Sequence, residues 1–226
     1  MTVAGDLVLI TTDPLSGRSL LGSTETDPVV GGALLVDLVL AERCEVVGPP
    51  KRARVRVLTT TPLGSAVHDR ALAGLRPGHD ARAATVVPRL GKGARRRVLD
   101  QLAAEEAVAP RREKVLGVFS RTRYDVVDIA RRDAVLAPVL AVLLGRAEPD
   151  EATGPLVGLL SSGGAVSKLV AGPDRRAAVR RAKDVARGEW AGAVTNAAVT
   201  AANAAVTAAV TAAVVAAAAG GAAGGS

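Results

Sequence analysis

Asp27-Pro28-Val29-Val30-Gly31-Gly32-Ala33-Leu34-Leu35-Val36-Asp37-Leu38-Val39-Leu40 is the stretch around which the fold of this chain is expected to organise. Aspartate followed by proline reads as a helix start: the aspartate caps, and the proline takes the first helical position, where no backbone donor is needed. From there to about Arg43, apolar residues occupy most faces, so the spacing predicts a helix central to the core. Asp37 is its awkward member, a carboxylate among aliphatic side chains.

Working outward, residues 5–12 form a largely apolar run, helix or strand, closed by Asp13-Pro14 and the turn Ser16-Gly17. Segments 44–47 and 54–59 read as a strand pair around Gly48-Pro49-Pro50-Lys51, because Arg54-Val55-Arg56-Val57 alternates with period two. Helices are expected over 64–75, 81–90, 94–107, 130–145, 151–170 with a break at Gly163-Gly164, and 174–187 with Asp174 as its cap. Residues 115–127 are apolar and β-branched with a polar middle, Ser120-Arg121-Thr122-Arg123, and read as a β-hairpin. The expected class is mainly α (α+β): a single helical domain with a central helix bundle and peripheral β-hairpins. The domain is expected over 1–219, with 220–226 a disordered Gly/Ala/Ser tail.

The C-terminal stretch needs separate argument. From Trp190 to Ser226 no residue is charged, yet 16 of the 29 residues from 191 to 219 are alanine, with Thr and Asn interspersed, so its transfer into a bilayer gains little. Val199, Val206, Val210 and Val214 recur at helical spacing, which predicts a packed helix and not a span. The first ten residues lack a basic n-region and contain Asp6, against a secretory leader.

Composition bounds the function before any motif does. The 226 residues include 1% aromatics, with Trp190, Tyr124 and Phe119 as single copies, which disfavours aromatic RNA-reading platforms and all-β sandwiches. A single cysteine, Cys44, excludes an intramolecular disulfide and a multi-thiolate zinc site, and fits a reducing compartment. The net charge of +7 is unevenly placed. Residues 1–50 carry two basic and seven acidic groups, whereas 51–132 carry nineteen basic and eight acidic. A local surplus of that size suits a polyanionic partner.

Catalytic patterns are nearly absent. His68 and His79 have neither metal-pair spacing nor a neighbouring nucleophile motif and read as solvated surface residues. The glycine pairs lack a phosphate-loop or dinucleotide pattern and are assigned to helix packing and helix ends. Asp125, Asp128 and Asp133 span a strand end and a helix start, where capping is the ordinary role. Cys44, between Arg43 and Glu45, reads as a buried spectator. No enzyme, metal or cofactor is implied.

The basic run Arg89, Lys92, Arg95, Arg96, Arg97 stands out. On a helix, Lys92, Arg95 and Arg96 are three and four residues apart and could converge on a phosphate. In the following hairpin, Val115, Leu116, Val118 and Phe119 adjoin Arg111, Arg112, Lys114, Arg121 and Arg123, a mixture suited to an anionic bilayer surface and equally to the helix and wing of a DNA-binding domain.

Several segments occur in an order that resembles the Golgi phosphoprotein 3 family. They are Leu20-Leu21-Gly22; Gly31 to Leu40 with Arg43; Pro62-Leu63-Gly64 leading to Asp69-Arg70-Ala71-Leu72; Arg96-Arg97-Val98-Leu99-Asp100-Gln101-Leu102; Val118-Phe119-Ser120-Arg121-Thr122-Arg123-Tyr124; and Arg181-Ala182-Lys183 with Trp190. Bacterial members of that family include Ala- and Arg-rich sequences of this kind.

The resemblance implies a peripheral membrane protein on the cytoplasmic face of a membrane. Its eukaryotic relatives bind phosphatidylinositol 4-phosphate and the cytosolic tails of Golgi glycosyltransferases. Their headgroup pocket uses one Trp and three basic residues. Two basic positions fall on Lys92 and Arg95, while the Trp position falls near Gly22 and the remaining Arg position near Gly31, so half the pocket is retained. The membrane-facing hairpin, used also for oligomer contacts, corresponds to about Arg112 to Tyr124.

The leading expectation is therefore a non-enzymatic protein that binds anionic lipid headgroups through Lys92, Arg95 and Arg96, with a membrane or oligomer hairpin carrying Val115, Leu116, Val118, Phe119, Arg121 and Arg123. A protein partner or second copy remains compatible with this. Two other classes stay open: a winged-helix DNA binder using 94–108 and the hairpin, and a structural or adaptor protein without a ligand.

Overall fold

A computed structural model describes residues 2–49, 52–115 and 119–187. Among these residues the architecture is mainly helical with two small antiparallel sheets, as the sequence predicts. At its centre are α1 (Val3–Ile10), α2 (Ser23–Leu40) and α7 (Thr153–Ser162), packed on one another. Around them lie α3 (Ala66–Ala73), α4 (Ala83–Gly91), α5 (Ala94–Ala104), α6 (Ile129–Leu143), α8 (Val166–Leu169) and α9 (Arg175–Ala186). The core is aliphatic; Leu7, Leu9, Ile10, Leu34, Leu35, Leu38, Leu159 and Leu160 are almost wholly removed from water.

The ambiguous run at the N-terminus is helix α1, begun by Thr2, whose Oγ1 accepts a hydrogen bond from the Gly5 N–H at 3.1 Å. Helix α2 begins at Ser23, earlier than the Asp27-Pro28 signal indicated. Both the N–H and the hydroxyl of Thr26 donate to the Gly22 carbonyl, at 3.0 and 2.6 Å, which winds an extra turn ahead of Pro28.

The Asp37 anomaly resolves in three dimensions. Its Oδ1 accepts from the Val3 N–H at 2.7 Å, and its Oδ2 accepts from the Ala4 N–H at 3.0 Å. A carboxylate from α2 thus caps the N-terminus of α1 inside the core, where helix N–H groups lack intrahelical partners and anions are favoured.

Strands β1 (Cys44–Val47) and β2 (Arg54–Val57) pair antiparallel, Cys44 opposite Val57 and Val47 opposite Arg54. A two-residue strand, β3 (Ala81–Arg82), adds to β2, so the first residues of the expected 81–90 helix are strand. The second sheet is the hairpin of β4 (Val108–Val115) and β5 (Phe119–Val126), paired from Val108 opposite Val126 to Val115 opposite Phe119. It starts earlier than expected, and Ser120 to Arg123 belong to a strand and not to a turn. Ion pairs Arg111–Asp125 at 2.7 Å and Arg123–Glu113 at 2.9 Å make its charged residues compatible with a paired ladder. The hairpin's base is buried through Val108, Tyr124 and Val126.

Of the expected caps, Asp128 opens α6, its Oδ1 accepting from the Arg131 N–H at 2.8 Å. Asp174 precedes α9 without a side-chain capping bond, because its backbone is already helical (φ −76°, ψ −14°) and capping geometry needs an extended residue. The break between α7 and α8 falls at Gly163-Gly164 as expected, with Gly164 at φ +64°.

No helix among the described residues is long and apolar enough to cross a membrane. The expected helix over 191–219, the tail 220–226 and the side chains of Val115, Leu116, Val118 and Phe119 lie outside what is described.

Candidate functional site

Helix α5 starts in an electrostatically unfavourable way. Its N-cap is Gly93 in the left-handed region (φ +64°), no side chain caps it, its first turn holds no acid, and Arg95, Arg96 and Arg97 follow directly. Cations at the positive end of a helix each cost about 0.3–1 kcal/mol unless an anion compensates. The three arginines diverge around the helix, so they serve two different clefts.

The first cleft, about 440 Å³, is lined by Arg95, Arg96, Arg121, Arg123, Tyr124 and Gly17 among others. Arg95 is half-buried; its Nη2 donates to Thr12 Oγ1 at 3.0 Å, while its Nε is buried without a partner. Burial holds the Arg95 guanidinium below its usual pKa, and the nearby Arg121 and Arg123 charges add to this, against an opposing contribution from Tyr124. An arginine nonetheless stays cationic at neutral pH. Tyr124 joins the two walls by donating its hydroxyl to Asp100 of α5.

At the mouth of this cleft the loop Asp13 to Arg18 packs against β5. A Cβ at Gly17 (φ +61°) would sit 2.8 Å from the Tyr124 carbonyl oxygen. Asp13 Oδ1 accepts from both the N–H and the hydroxyl of Ser16, each at 2.7 Å, which fixes the loop and leaves Leu15 91% exposed.

Arg95, Arg96, Arg121 and Arg123, four of the residues singled out in the sequence, come together here. Lys92 does not join them. It is the C-cap of α4, outside α5, because left-handed Gly93 separates the two helices; the three-residue spacing is therefore not a helical one. Lys92 lines a second cleft of about 380 Å³ with Arg70, Arg89 and Arg97.

Of the two glycines at the expected headgroup positions, Gly31 is required by backbone packing, whereas Gly22 meets only the movable end of a side chain. A Cβ at Gly31 would lie 2.0 Å from the Val87 carbonyl oxygen, and one at Gly91 only 1.7 Å from that of Asp27, so α2 and α4 cross in backbone contact. The place where a side chain at position 31 would begin is filled by α4. At Gly22 a Cβ would lie 2.0 Å from the Glu25 carboxylate, an acidic neighbour in a position the resemblance gives to a stacking ring.

His68 departs furthest from expectation. It is 3% exposed, not solvated: its Nε2 is 3.0 Å from Asp37 Oδ2 and its Nδ1 is 2.8 Å from Ser65 Oγ. The Ser–His–Asp order is that of a hydrolase relay, but the Ser65 hydroxyl also reaches Gln101 Oε1 at 3.1 Å, and the adjoining cavity holds about 70 Å³. That space admits water rather than a substrate. The chain continues from Gln101 to Glu105 at 2.9 Å and from Glu105 to Arg131 at 2.8 Å, tying α1, α2, α3, α5 and α6 together. Nothing in the sequence spacing signals it, since Asp37 and His68 meet only by folding. His79 is exposed as expected. Cys44 is buried, its thiol pushed up to about 11 by that burial, so little thiolate exists at neutral pH.

Asp6 lies beside this network, its Oδ1 buried without a partner and its pKa raised by burial from 3.8 to about 6. A folded-state value above the unfolded one means stability that is fully present below about pH 4 and lost as pH rises through about 6. Asp6→Asn should therefore stabilise the fold at pH 7 by roughly 1 kcal/mol after allowance for partial exposure, some 2–4 °C in Tm. At pH 4 the two proteins should melt together. A Tm gain equal at both pH values would show that ionisation of Asp6 is not the cause.

Comparison with family models gives a match to the model described as Golgi phosphoprotein 3 (GPP34) over residues 3–202. No curated protein matches the chain.

Proposed function

Because the chain belongs to the Golgi phosphoprotein 3 family, not a known enzyme family, we propose that it is a non-enzymatic peripheral membrane protein that binds anionic lipid headgroups through the first cleft. In a bacterial cell the surface is the cytoplasmic leaflet. The observation that carries the reading is a cleft lined by four arginines, Arg95 and Arg121 without ion-pair partners among the described residues, beside a loop that holds Leu15 out to solvent. Basic residues near an anionic bilayer each contribute about 1 kcal/mol, and an exposed apolar side chain beside them adds insertion into the interface. Selectivity for phosphatidylinositol 4-phosphate is expected to be poor, since position 31 is closed by α4 and position 22 faces Glu25. The cleft reads charge more than headgroup identity.

A nucleic-acid reading finds less support. Gln101 is the single amide side chain on α5, and it is engaged with Ser65 and Glu105, which leaves the helix without a free amide to read an adenine edge.

The test is flotation with phosphatidylglycerol-rich and neutral vesicles. Arg96→Glu, Arg121→Glu, two exposed positions, should weaken binding to the anionic vesicles by about a hundredfold or more. Binding by the parent should fade between about 0.05 and 0.5 M salt, as the Debye length shortens. Undiminished binding by the double variant would overturn the assignment of the site.

A further inference from the structure

The second cleft, on the other side of α5, has a chemistry of its own. It gathers Arg70 from α3, Arg89 and Lys92 from α4 and its cap, and Arg97 from α5, over a floor that includes Val67 and Leu90. Among the described residues none of these four cations has an ion-pair partner, whereas Arg56, Arg111, Arg123, Arg131 and Arg181 elsewhere are each matched to a carboxylate. Two of them are held in place by backbone: Arg89 Nη2 donates to the Gly74 carbonyl and Arg97 Nη2 to the Lys92 carbonyl, both at 3.0 Å. Arg97 Nε is buried with no partner. Burial and the Arg70 charge lower the Arg97 pKa, and Asp27 offsets them only in part, so like charges are held close.

We infer that this cleft binds a phosphomonoester carried on an apolar body, independently of the first cleft. Four cations without ion-pair partners among the described residues suit a group of charge near −2 with several acceptor oxygens, which a phosphomonoester supplies at neutral pH and a carboxylate does not. The apolar floor and a volume of about 380 Å³ leave room beyond the phosphate for hydrocarbon. Either a lipid or a soluble phosphorylated molecule has this chemistry.

The experiment titrates the full chain with hexyl phosphate and with inorganic phosphate while amide resonances are followed. Hexyl phosphate should shift Ala71, Gly74 and Leu90 and bind more tightly than inorganic phosphate. Arg70→Ala, Lys92→Ala, both exposed, should weaken it by about a hundredfold and leave vesicle flotation intact. Arg96→Glu, Arg121→Glu should do the reverse, so failure of either cleft is separable from failure of the other. Vesicles containing phosphatidic acid that displace hexyl phosphate from the parent make the natural ligand a lipid; lack of displacement makes it soluble, and both results uphold the site. Shifts confined to Gly17 and Thr122, unchanged affinity in the Arg70, Lys92 variant, or equal affinity for inorganic phosphate would overturn it.

Discussion

Asp37→Ala is expected to lower stability by about 3–5 kcal/mol, because it removes one partner from a buried charged hydrogen-bond network and leaves the rest in place. The carboxylate is 8% exposed and meets the Val3 and Ala4 N–H groups and the His68 ring. Without it, two helix-terminal donors and an imidazole nitrogen stay buried and unmatched, each at a desolvation cost of roughly 1–3 kcal/mol before relaxation. The midpoint of thermal unfolding should fall by about 10 °C. Asp37→Asn, which keeps the shape and one acceptor oxygen, should lose about half as much. A loss confined to about 1 kcal/mol in Asp37→Ala, read by urea and thermal unfolding, would mean that α1 is held by its apolar contacts alone and that the carboxylate is incidental.

Gly31→Ala is expected to cost about 3 kcal/mol, at the upper end of overpacking effects, because the added methyl meets backbone and not a movable side chain. Its Cβ would stand 2.0 Å from the Val87 carbonyl oxygen and 2.7 Å from the Gly91 nitrogen, so α2 and α4 must separate to admit it. Gly91→Ala strikes the same crossing from the other helix, and the double variant should lose less than the two single losses combined, since helices already parted accommodate the second methyl. Gly31→Arg, which restores the basic residue expected at a headgroup pocket, should reduce stability further without strengthening binding to vesicles. Tighter vesicle binding by a folded Gly31→Arg protein would show that the crossing opens readily and that position 31 can still face a ligand.

Much of the architecture was legible along the chain. Apolar residues on nearly every face of 28–40 place α2 at the centre, and the period of two at 54–57 marks a strand, because each pattern is written within one element. Glycine punctuation located the α7–α8 break for the same reason. The type of α1 was not legible: Ala4, Leu7, Val8, Leu9 and Ile10 are all fully buried, and a segment buried on every side loses the periodicity that separates helix from strand. The β4–β5 boundaries were misjudged because Arg111, Glu113, Arg123 and Asp125 look like loop residues until their cross-strand ion pairs are known.

The candidate site divides in the same way. Local composition determined that cations concentrate around α5 and the hairpin, since charge is a property of each residue wherever it lies. Which cations meet was decided by the tertiary structure. One left-handed residue, Gly93, turns Lys92 away from Arg95, and the return of β5 brings Arg121 and Arg123 against α5. The α2–α4 crossing closes position 31, and residues 31 apart in the chain join as Asp37 and His68. Sequence patterns fix what an element buries and which charges it carries; the partners of a polar group depend on long-range packing, where a shift of one helical turn exchanges one neighbour for another.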